Sequence, residues 1–189
     1  LFPSRSPKSV DCGIRYHYVE GAFFSGRKNL EEASAVANAV VDHFERNPGL
    51  SLGVGAFNQE QRDVIRDRIE NLLKEKPELW TVYERAQQNG SEPFFVKNLE
   101  NIQGDERDVI FVSCTYGPDR EAGRVYQRFG PINGAMGWRR LNVMFTRARK
   151  RLEVFASLKS EDVVADENSS LGLQSFKKYL KFVESGKLV

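Results

Sequence analysis

The chain has 189 residues, 28 Lys and Arg against 26 Asp and Glu, a formal net charge of +2, and 40% hydrophobic residues. This length and composition predict one ordinary globular domain whose core is large enough to fold without disulfides. Cys12 and Cys114 stand far apart and form no CxxC or Cys/His spacing, which excludes a disulfide framework and argues against a structural zinc or other metal site.

No apolar run approaches the roughly 18 residues that a membrane span needs, and the N-terminus lacks the layout of a signal peptide. We therefore expect a cytoplasmic protein with no membrane partner. The chain begins at Leu1 with a stretch rich in Pro, Ser and Lys. This start predicts a piece of a longer protein, with residues 1–10 as linker and residues 11–189 as one domain.

Hydrophobic periodicity predicts short strands that alternate with longer helices. Strands are expected at residues 14–20, 50–57, 94–96, 108–115 and 152–158, and helices at residues 29–46, 59–75, 80–92, 138–149 and 171–184. The first helix starts with Asn29 and Glu32, which have the spacing of a capping box. The alternation predicts an α/β fold in which helices pack on both faces of a mainly parallel sheet.

Positive charge is concentrated in one part of the chain. Residues 122–152 hold eight basic residues and no acidic one, whereas the remainder has 28 − 8 = 20 basic against 26 acidic residues, a balance of −6. Seven of the eight are arginines, whose planar fork pairs with phosphate: Arg124, Arg128, Arg139, Arg140, Arg147, Arg149, Lys150 and Arg151. The segment predicts binding to the phosphates of a nucleotide or a nucleic acid, with a solvated helix face as the alternative.

Two strings make the prediction more specific. Residues 98–108 read NLENIQGDERD, and residues 139–149 read RRLNVMFTRAR. Together they resemble motifs V and VI of superfamily 1 helicases, in the branch that includes the nonsense-mediated-decay helicase, and residues 94–109 are most similar to large bacterial helicase-related proteins. The resemblance implies a RecA-like fold and the second, C-terminal motor domain of an ATP-dependent helicase or translocase.

The same resemblance implies that other parts of the motor lie elsewhere. The sequence has no GxxxxGK[ST] loop and no acidic Walker B segment, the elements that hold ATP phosphates and Mg²⁺. We expect ATP and Mg²⁺ to be bound mainly by an upstream P-loop domain of the same polypeptide. The isolated chain should then not hydrolyse ATP.

Residue roles at the nucleotide follow from the resemblance. Arg147 matches the arginine finger that reaches the γ-phosphate, and Arg149 is expected to make phosphate or supporting contacts. Glu106 matches the acidic residue that contacts the ribose. Gly104 matches a position where the backbone approaches the ligand closely, and Gln103 matches a residue that contacts nucleotide or nucleic acid. The alternatives are a surface arginine, an ion pair formed by Glu106, and an ordinary turn at Gly104.

Other residues are predicted to hold nucleic acid. Asn58 and Gln61 lie where a strand gives way to a helix, and Arg139 and Arg140 open the second string. Helix capping by Asn58 and anchoring of the arginines to carboxylates are the alternatives. Aromatic residues that border the basic segment could stack on bases, although core packing is their commoner role: Tyr116, Tyr126, Phe129 and Trp138.

Single-stranded DNA or RNA is thus the expected partner, and the sequence does not choose between them. Two other classes of function stay open: a nucleic acid binding module without a motor, and an ATP-gated scaffold on the same fold. The first predicts salt-sensitive binding that nucleotide leaves unchanged. The second predicts ATP turnover without strand displacement.

Overall fold

The structure, a computed structural model, describes residues 12–185. The predicted linker at residues 1–10 lies outside the described residues. Within these residues one sheet contains five strands, β1 (Gly13–Tyr18), β2 (Leu52–Ala56), β3 (Phe95–Asn98), β4 (Arg107–Ser113) and β5 (Ala148–Ala156). Their order in the sheet is β1-β5-β4-β2-β3, and every neighbouring pair is parallel.

In the described part of the chain, five α-helices cover both faces of this sheet, as predicted. They are α1 (Leu30–Arg46), α2 (Gln59–Glu75), α3 (Pro77–Gln87), α4 (Gly137–Phe145) and α5 (Leu171–Ser185). One apolar cluster joins the sheet to α1, α2 and α3, and a second joins it to α4 and α5. The α/β class and the RecA-like architecture are confirmed. None of the helices between residues 12 and 185 is long and apolar enough to cross a membrane.

The central strand β4 contributes to both apolar clusters because alternate side chains of a strand point to opposite faces. Val109 and Phe111 pack with α1–α3, and Ile110 and Val112 pack with α4 and α5. The continuous apolar run of this strand is therefore the consequence of burial on both sides.

The connection from β3 to β4 crosses β2 as a loop rather than as a helix. Ile102 of this loop and Met144 of α4 both pack against Gly55 of β2. An added Cβ at Gly55 would lie 3.2 Å from Ile102 Cδ1 and 2.9 Å from Met144 Cε. The missing side chain at Gly55 thus lets the loop that carries Gln103 and Gly104 lie close to the sheet.

Three local predictions were wrong in detail. The helix predicted at residues 138–149 ends at Phe145, because Ala148 pairs with Arg107 and residues 148–156 form β5. The helix predicted at residues 80–92 begins at Pro77, a residue suited to a first helical turn. Asn29 caps α1 by accepting from the backbone N–H of Glu32, but the Glu32 side chain bonds elsewhere.

Candidate functional site

The parallel sheet has two distinct edges. At the amino edge, where all strands begin, the segment of Gly104 and Glu106 enters β4, and Arg147 enters β5. At the carboxyl edge, where all strands end, lie Asn58 after β2 and the long connection after β4. The residues predicted to face nucleotide therefore share one edge of the domain.

At the amino edge the two helicase-like strings meet. Because β4 and β5 are neighbours, the backbone N–H of Arg107 donates to the carbonyl of Arg147 over 3.1 Å. Arg147 Nη1 lies 3.5 Å from Glu106 Oε1, and the Glu106 side chain is 53% exposed. The structure thus brings together a guanidinium and an open carboxylate that are 41 positions apart in the chain.

Arg147 is held by the end of α4. Its Nε donates to the carbonyl of Val143 over 2.9 Å, and its Nη2 to the Thr146 hydroxyl over 3.3 Å. The last carbonyls of a helix carry partial negative charge, so they favour a cation there. The side chain keeps 20% of its surface exposed, which leaves the guanidinium accessible from the edge.

Gly104 has a backbone conformation that glycine tolerates best, with φ of +88°. An added Cβ would meet no atom within 4 Å, so glycine is required here by the backbone and the space beside it is open. The following residue, Asp105, is tied to Lys97 of β3 over 2.6 Å. The turn is therefore fixed in place and has room for a ligand against its backbone.

Arg149 takes part in an ion-pair cluster at the same edge. Its two terminal nitrogens reach the two carboxylate oxygens of Glu92 at 2.5 and 2.6 Å, and Asp108 Oδ1 lies 3.3 Å away. The hydrogen bond from Arg149 lowers the pKa of Glu92 to about 2. Arg149 lies on a strand, not on the predicted helix, and this arrangement favours the supporting role over direct phosphate contact.

We expect Arg149→Ala and Glu92→Ala to lower the free energy of unfolding by similar amounts, up to about 1 kcal/mol each, because both side chains are partly exposed, 42% and 28%, so that water screens the pair. Since the Glu92 pKa is depressed on folding, this contribution should be present above about pH 4.5 and lost as the pH falls toward 2. Denaturation of both single variants and the double variant measures the coupling. Additive effects at pH 7 would contradict a working ion pair.

The carboxyl edge contains a buried polar network that the sequence analysis did not predict. Glu32 has no exposed surface. Its Oε1 accepts from the Ser113 hydroxyl and from the Thr115 backbone N–H, both over 2.6 Å, and its Oε2 lies 3.3 Å from the Ser157 hydroxyl. Asn29 Nδ2 donates to the same Ser157 oxygen over 2.6 Å. The network joins the start of α1 to the ends of β4 and β5.

The buried network has two unusual features, a raised pKa at Glu32 and a positive φ at Thr115. Removal from water raises the pKa of Glu32 to about 7, and the hydrogen bonds from Ser113 and Thr115 only partly oppose that rise. Thr115 has φ of +69°, which is rare for a β-branched residue. Glu32 therefore holds the turn through which β4 enters the long connection to α4.

Asn58 and Gln61 are part of the same edge, but their amides are engaged within the chain. Asn58 Oδ1 caps α2 by accepting from the Gln61 N–H over 2.8 Å, and its Nδ2 donates to the Arg27 carbonyl over 2.9 Å. Gln61 is fully buried and bonds to both backbone groups of Asn29. The predicted direct contact of Asn58 and Gln61 with nucleic acid does not fit this arrangement. Both side chains instead brace the turn that presents the exposed Arg27.

Arg139 and Arg140 lie in the first turn of α4, toward the carboxyl edge. Arg140 Nη2 is 3.4 Å from Glu100 Oε1, so the predicted anchoring to a carboxylate is present. Both arginines and Gln103 line a groove of about 460 Å³ between α4 and the β3–β4 loop. The basic segment is thus divided between the two edges, because α4 runs back across the sheet.

The four aromatic residues also divide into two pairs. Tyr116 and Phe129 are buried in the core beside α5, the commoner role considered for them. Tyr126 and Trp138 are exposed and keep the predicted stacking role open. Among residues 12–185 no group of three or more His, Cys, Asp or Glu is arranged to hold a metal ion.

Comparison with known proteins adds an independent observation. A family model described as an AAA domain matches residues 14–159. The chain is 37% identical over 171 residues to the uncharacterized ATP-dependent helicase MG140 of Mycoplasma genitalium, covering 89% of this chain and 15% of that protein. It is 33% identical over 187 residues to the MG140 homolog of Mycoplasma pneumoniae, covering 98% of this chain and 16% of that protein. The chain therefore spans less than a fifth of the curated relatives that it matches.

Proposed function

The chain belongs to the AAA domain family, and on this premise we propose that it is the second motor domain of an ATP-dependent nucleic acid helicase or translocase. Its matches fit a superfamily 1 helicase domain, in agreement with the resemblance of the two strings. The observation that carries the proposal is the meeting of Glu106 and Arg147 at the amino edge. That edge would face a P-loop domain of the same polypeptide.

The residues at the amino edge fit an ATP molecule held between two domains. Gly104 leaves open space beside a fixed turn, Glu106 offers an exposed carboxylate that accepts hydrogen bonds from ribose hydroxyls, and Arg147 offers a guanidinium. Bound ATP would supply the phosphoryl group whose hydrolysis drives movement. The role of Arg147 is to neutralise negative charge on the γ-phosphate, and Arg149 with Glu92 keeps the start of β5 in place.

Nucleic acid would bind away from the nucleotide, toward the carboxyl edge. Arg139 and Arg140 can contact phosphates along the groove beside α4, while Asn58 and Gln61 brace the turn of Arg27. Strand β4 and helix α4 both reach from one edge to the other. Domain closure at the amino edge can therefore shift the grip at the carboxyl edge, which is the requirement for directional movement.

The Glu106 assignment has a matched control. We expect Glu106→Ala to weaken nucleotide affinity about ten-fold or more, since one hydrogen-bonding charged group is lost, without a change in melting temperature. Glu100 has almost the same setting, 51% exposed and 3.4 Å from Arg140 against 53% and 3.5 Å from Arg147 for Glu106. Glu100→Ala should leave nucleotide affinity unchanged when both are measured by calorimetry on the full-length protein without nucleic acid.

Nucleotides that lack a ribose hydroxyl make this test specific. If Glu106 contacts the ribose, the wild-type protein should bind ATP more tightly than its 2′- or 3′-deoxy analogue, and Glu106→Ala should bind both alike. Equal discrimination by the wild type and the variant would assign Glu106 to the ion pair with Arg147 alone.

A further inference from the structure

The turn at residues 103–106 is anchored at both of its ends. Before the turn, the Ile102 side chain is fully buried against β2. After the turn, Arg107 is also buried, and its Nη1 donates to the carbonyl of Glu106 over 2.6 Å. The Arg107 Nε donates to the carbonyl of Pro93, just before β3, over 2.9 Å. The turn therefore begins and ends at fixed points.

Between these anchors the turn is open to solvent. Gln103, Gly104 and Glu106 are exposed, and Asp105 is partly buried. The backbone nitrogen of Asp105 lies 3.4 Å from the carbonyl oxygen of Ile102, which is long for a hydrogen bond. A segment with few buried contacts has low local stability unless a side chain ties it to the rest of the fold.

Lys97 of β3 provides such a tie. Its Nζ lies 2.6 Å from Asp105 Oδ2, and the side chains of this pair are 36% and 25% exposed. The same Nζ lies 5.2 Å from the centre of the Phe95 ring. That ring is buried and packs over Gly53 of β2, where an added Cβ would overlap it. The Lys97 amine therefore reaches Asp105 from a fixed support.

Lys97 is near the turn because of the path that the chain takes across the sheet. Phe95 and Lys97 are two positions apart in β3, so their side chains share one face of the sheet. Phe95 and Ile102 belong to the same apolar cluster, which places the loop after β3 on that face. Lys97 precedes both helicase-like strings in the chain, and only the fold brings it to the segment that carries Glu106.

We propose that Lys97 is a positioning residue for nucleotide binding, which acts through Asp105 and does not itself touch the nucleotide. This rests on the proposed function for the place of ATP at the amino edge. With the ion pair formed, the turn of Gly104 and Glu106 is held before ATP arrives, so that less entropy is lost on binding. A partly exposed ion pair contributes little to stability. The effect of Lys97 should therefore appear in nucleotide affinity.

The test measures ATP affinity of the full-length protein by calorimetry without nucleic acid. Lys97→Met keeps an unbranched stem beside the Phe95 ring but loses the charge, and Asp105→Ala removes the other partner. Each should weaken ATP binding about five-fold, and the double variant should bind no more weakly than either single variant. Lys97→Arg keeps the charge and the reach, so its ATP affinity should stay close to that of the wild type.

A second ion pair offers a matched control. Lys76 pairs with Glu45, and their side chains are 40% and 34% exposed, close to the values for Lys97 and Asp105. Lys76→Met should leave ATP affinity unchanged, and melting curves should show similar small effects for both Met variants.

Ribose recognition separates a positioning role from a merely structural one. If Lys97 holds Glu106 in place, Lys97→Met should reduce the preference of the wild type for ATP over its 2′- or 3′-deoxy analogue, although Glu106 is still present. A general loss of stability would not change this preference. Lys97→Arg should keep it.

Several results would overturn the positioning role. They are unchanged ATP affinity in Lys97→Met and Asp105→Ala, additive losses in the double variant, no recovery in Lys97→Arg, and a ribose preference that Lys97→Met leaves intact. ATP binding that weakens with Glu106→Ala but not with Lys97→Met would overturn this role alone. A wild-type protein that binds no ATP would overturn the proposed function and this role with it, so the two failures are distinguishable.

Discussion

Arg147→Ala should lower nucleic acid-stimulated ATP turnover of the full-length protein by about 10³-fold or more, the range expected for an arginine finger supplied from a second domain. That loss corresponds to about 4 kcal/mol or more of transition-state stabilisation. It is measured as steady-state ATPase activity with and without single-stranded DNA or RNA.

The same substitution should affect folding much less than turnover. Arg147 keeps 20% of its side-chain surface exposed, and its ion pair with the half-exposed Glu106 carboxylate spans 3.5 Å. Loss of that pair and of the hydrogen bonds to Val143 and Thr146 should cost about 1–2 kcal/mol of stability. A melting curve separates the two effects. A large drop in melting temperature would mean that Arg147 is a structural residue of the β4–β5 junction.

Two companion variants make the assignment specific. Arg147→Lys keeps the charge but loses the planar fork, so it should recover only a small part of the turnover. Arg66→Ala removes an exposed arginine of α2 that forms an ion pair with Asp63 on the same helix, and it should leave turnover unchanged. Wild-type turnover by Arg147→Ala would refute the finger, and absence of any stimulated turnover would favour a binding module or a scaffold.

Sequence reasoning predicted the elements of this fold well where burial on both faces leaves a local pattern. The run Val109–Val112 predicts β4 because each of its side chains reaches one of two cores. It could not predict that Glu106 meets Arg147, because periodicity contains no information on which strands are neighbours. The resemblance named both residues, but the parallel pairing of β4 with β5 places them together.

The limits of the sequence are clearest where one local pattern has two uses. Asn29 and Glu32 have capping-box spacing, and Asn29 does cap α1, yet the Glu32 side chain turns to Ser113 and Thr115. The Glu32 carboxylate can accept hydrogen bonds either from the start of its own helix or from Ser113 and Thr115. Only the tertiary structure decides between these two arrangements. Likewise, the basic segment is continuous in sequence, but Arg139 lies in the first turn of α4 and Arg147 lies beyond its last residue, Phe145.

The buried carboxyl of Glu32 leads to the second large effect, a dependence of stability on pH. Folding raises the pKa of Glu32 from 4.5 to about 7. The folded state therefore binds more protons than the unfolded state in this window, and the contribution of Glu32 to stability is full below about pH 4.5 and lost as the pH rises through 7. A shift of this size corresponds to about 3 kcal/mol.

Glu32→Gln should remove that dependence and still fold. The amide oxygen can accept from Ser113 and Thr115 as Glu32 Oε1 does, and the amide N–H can donate to the Ser157 hydroxyl, which has a second lone pair beside the one used by Asn29. We expect the free energy of unfolding of the variant, minus that of the wild type, to increase by about 3 kcal/mol between pH 4.5 and 8 in urea denaturation.

Taking the difference between the two proteins isolates Glu32 from other titrating groups. Burial lowers the pKa of His43, which makes stability rise with pH, but that effect is common to both proteins and cancels. A difference that stays flat with pH would mean that Glu32 is ionised throughout and that its hydrogen bonds outweigh its burial.

Glu32→Ala removes the acceptor altogether. The Thr115 N–H and the Ser113 hydroxyl would lose their buried partner, at a cost of about 1–3 kcal/mol for each group left unsatisfied, and the strained Thr115 would lose its support. We expect a large loss of stability at every pH. Because Thr115 opens the connection to α4, this variant should also lose single-strand affinity under conditions where it remains folded, while Glu32→Gln should retain it.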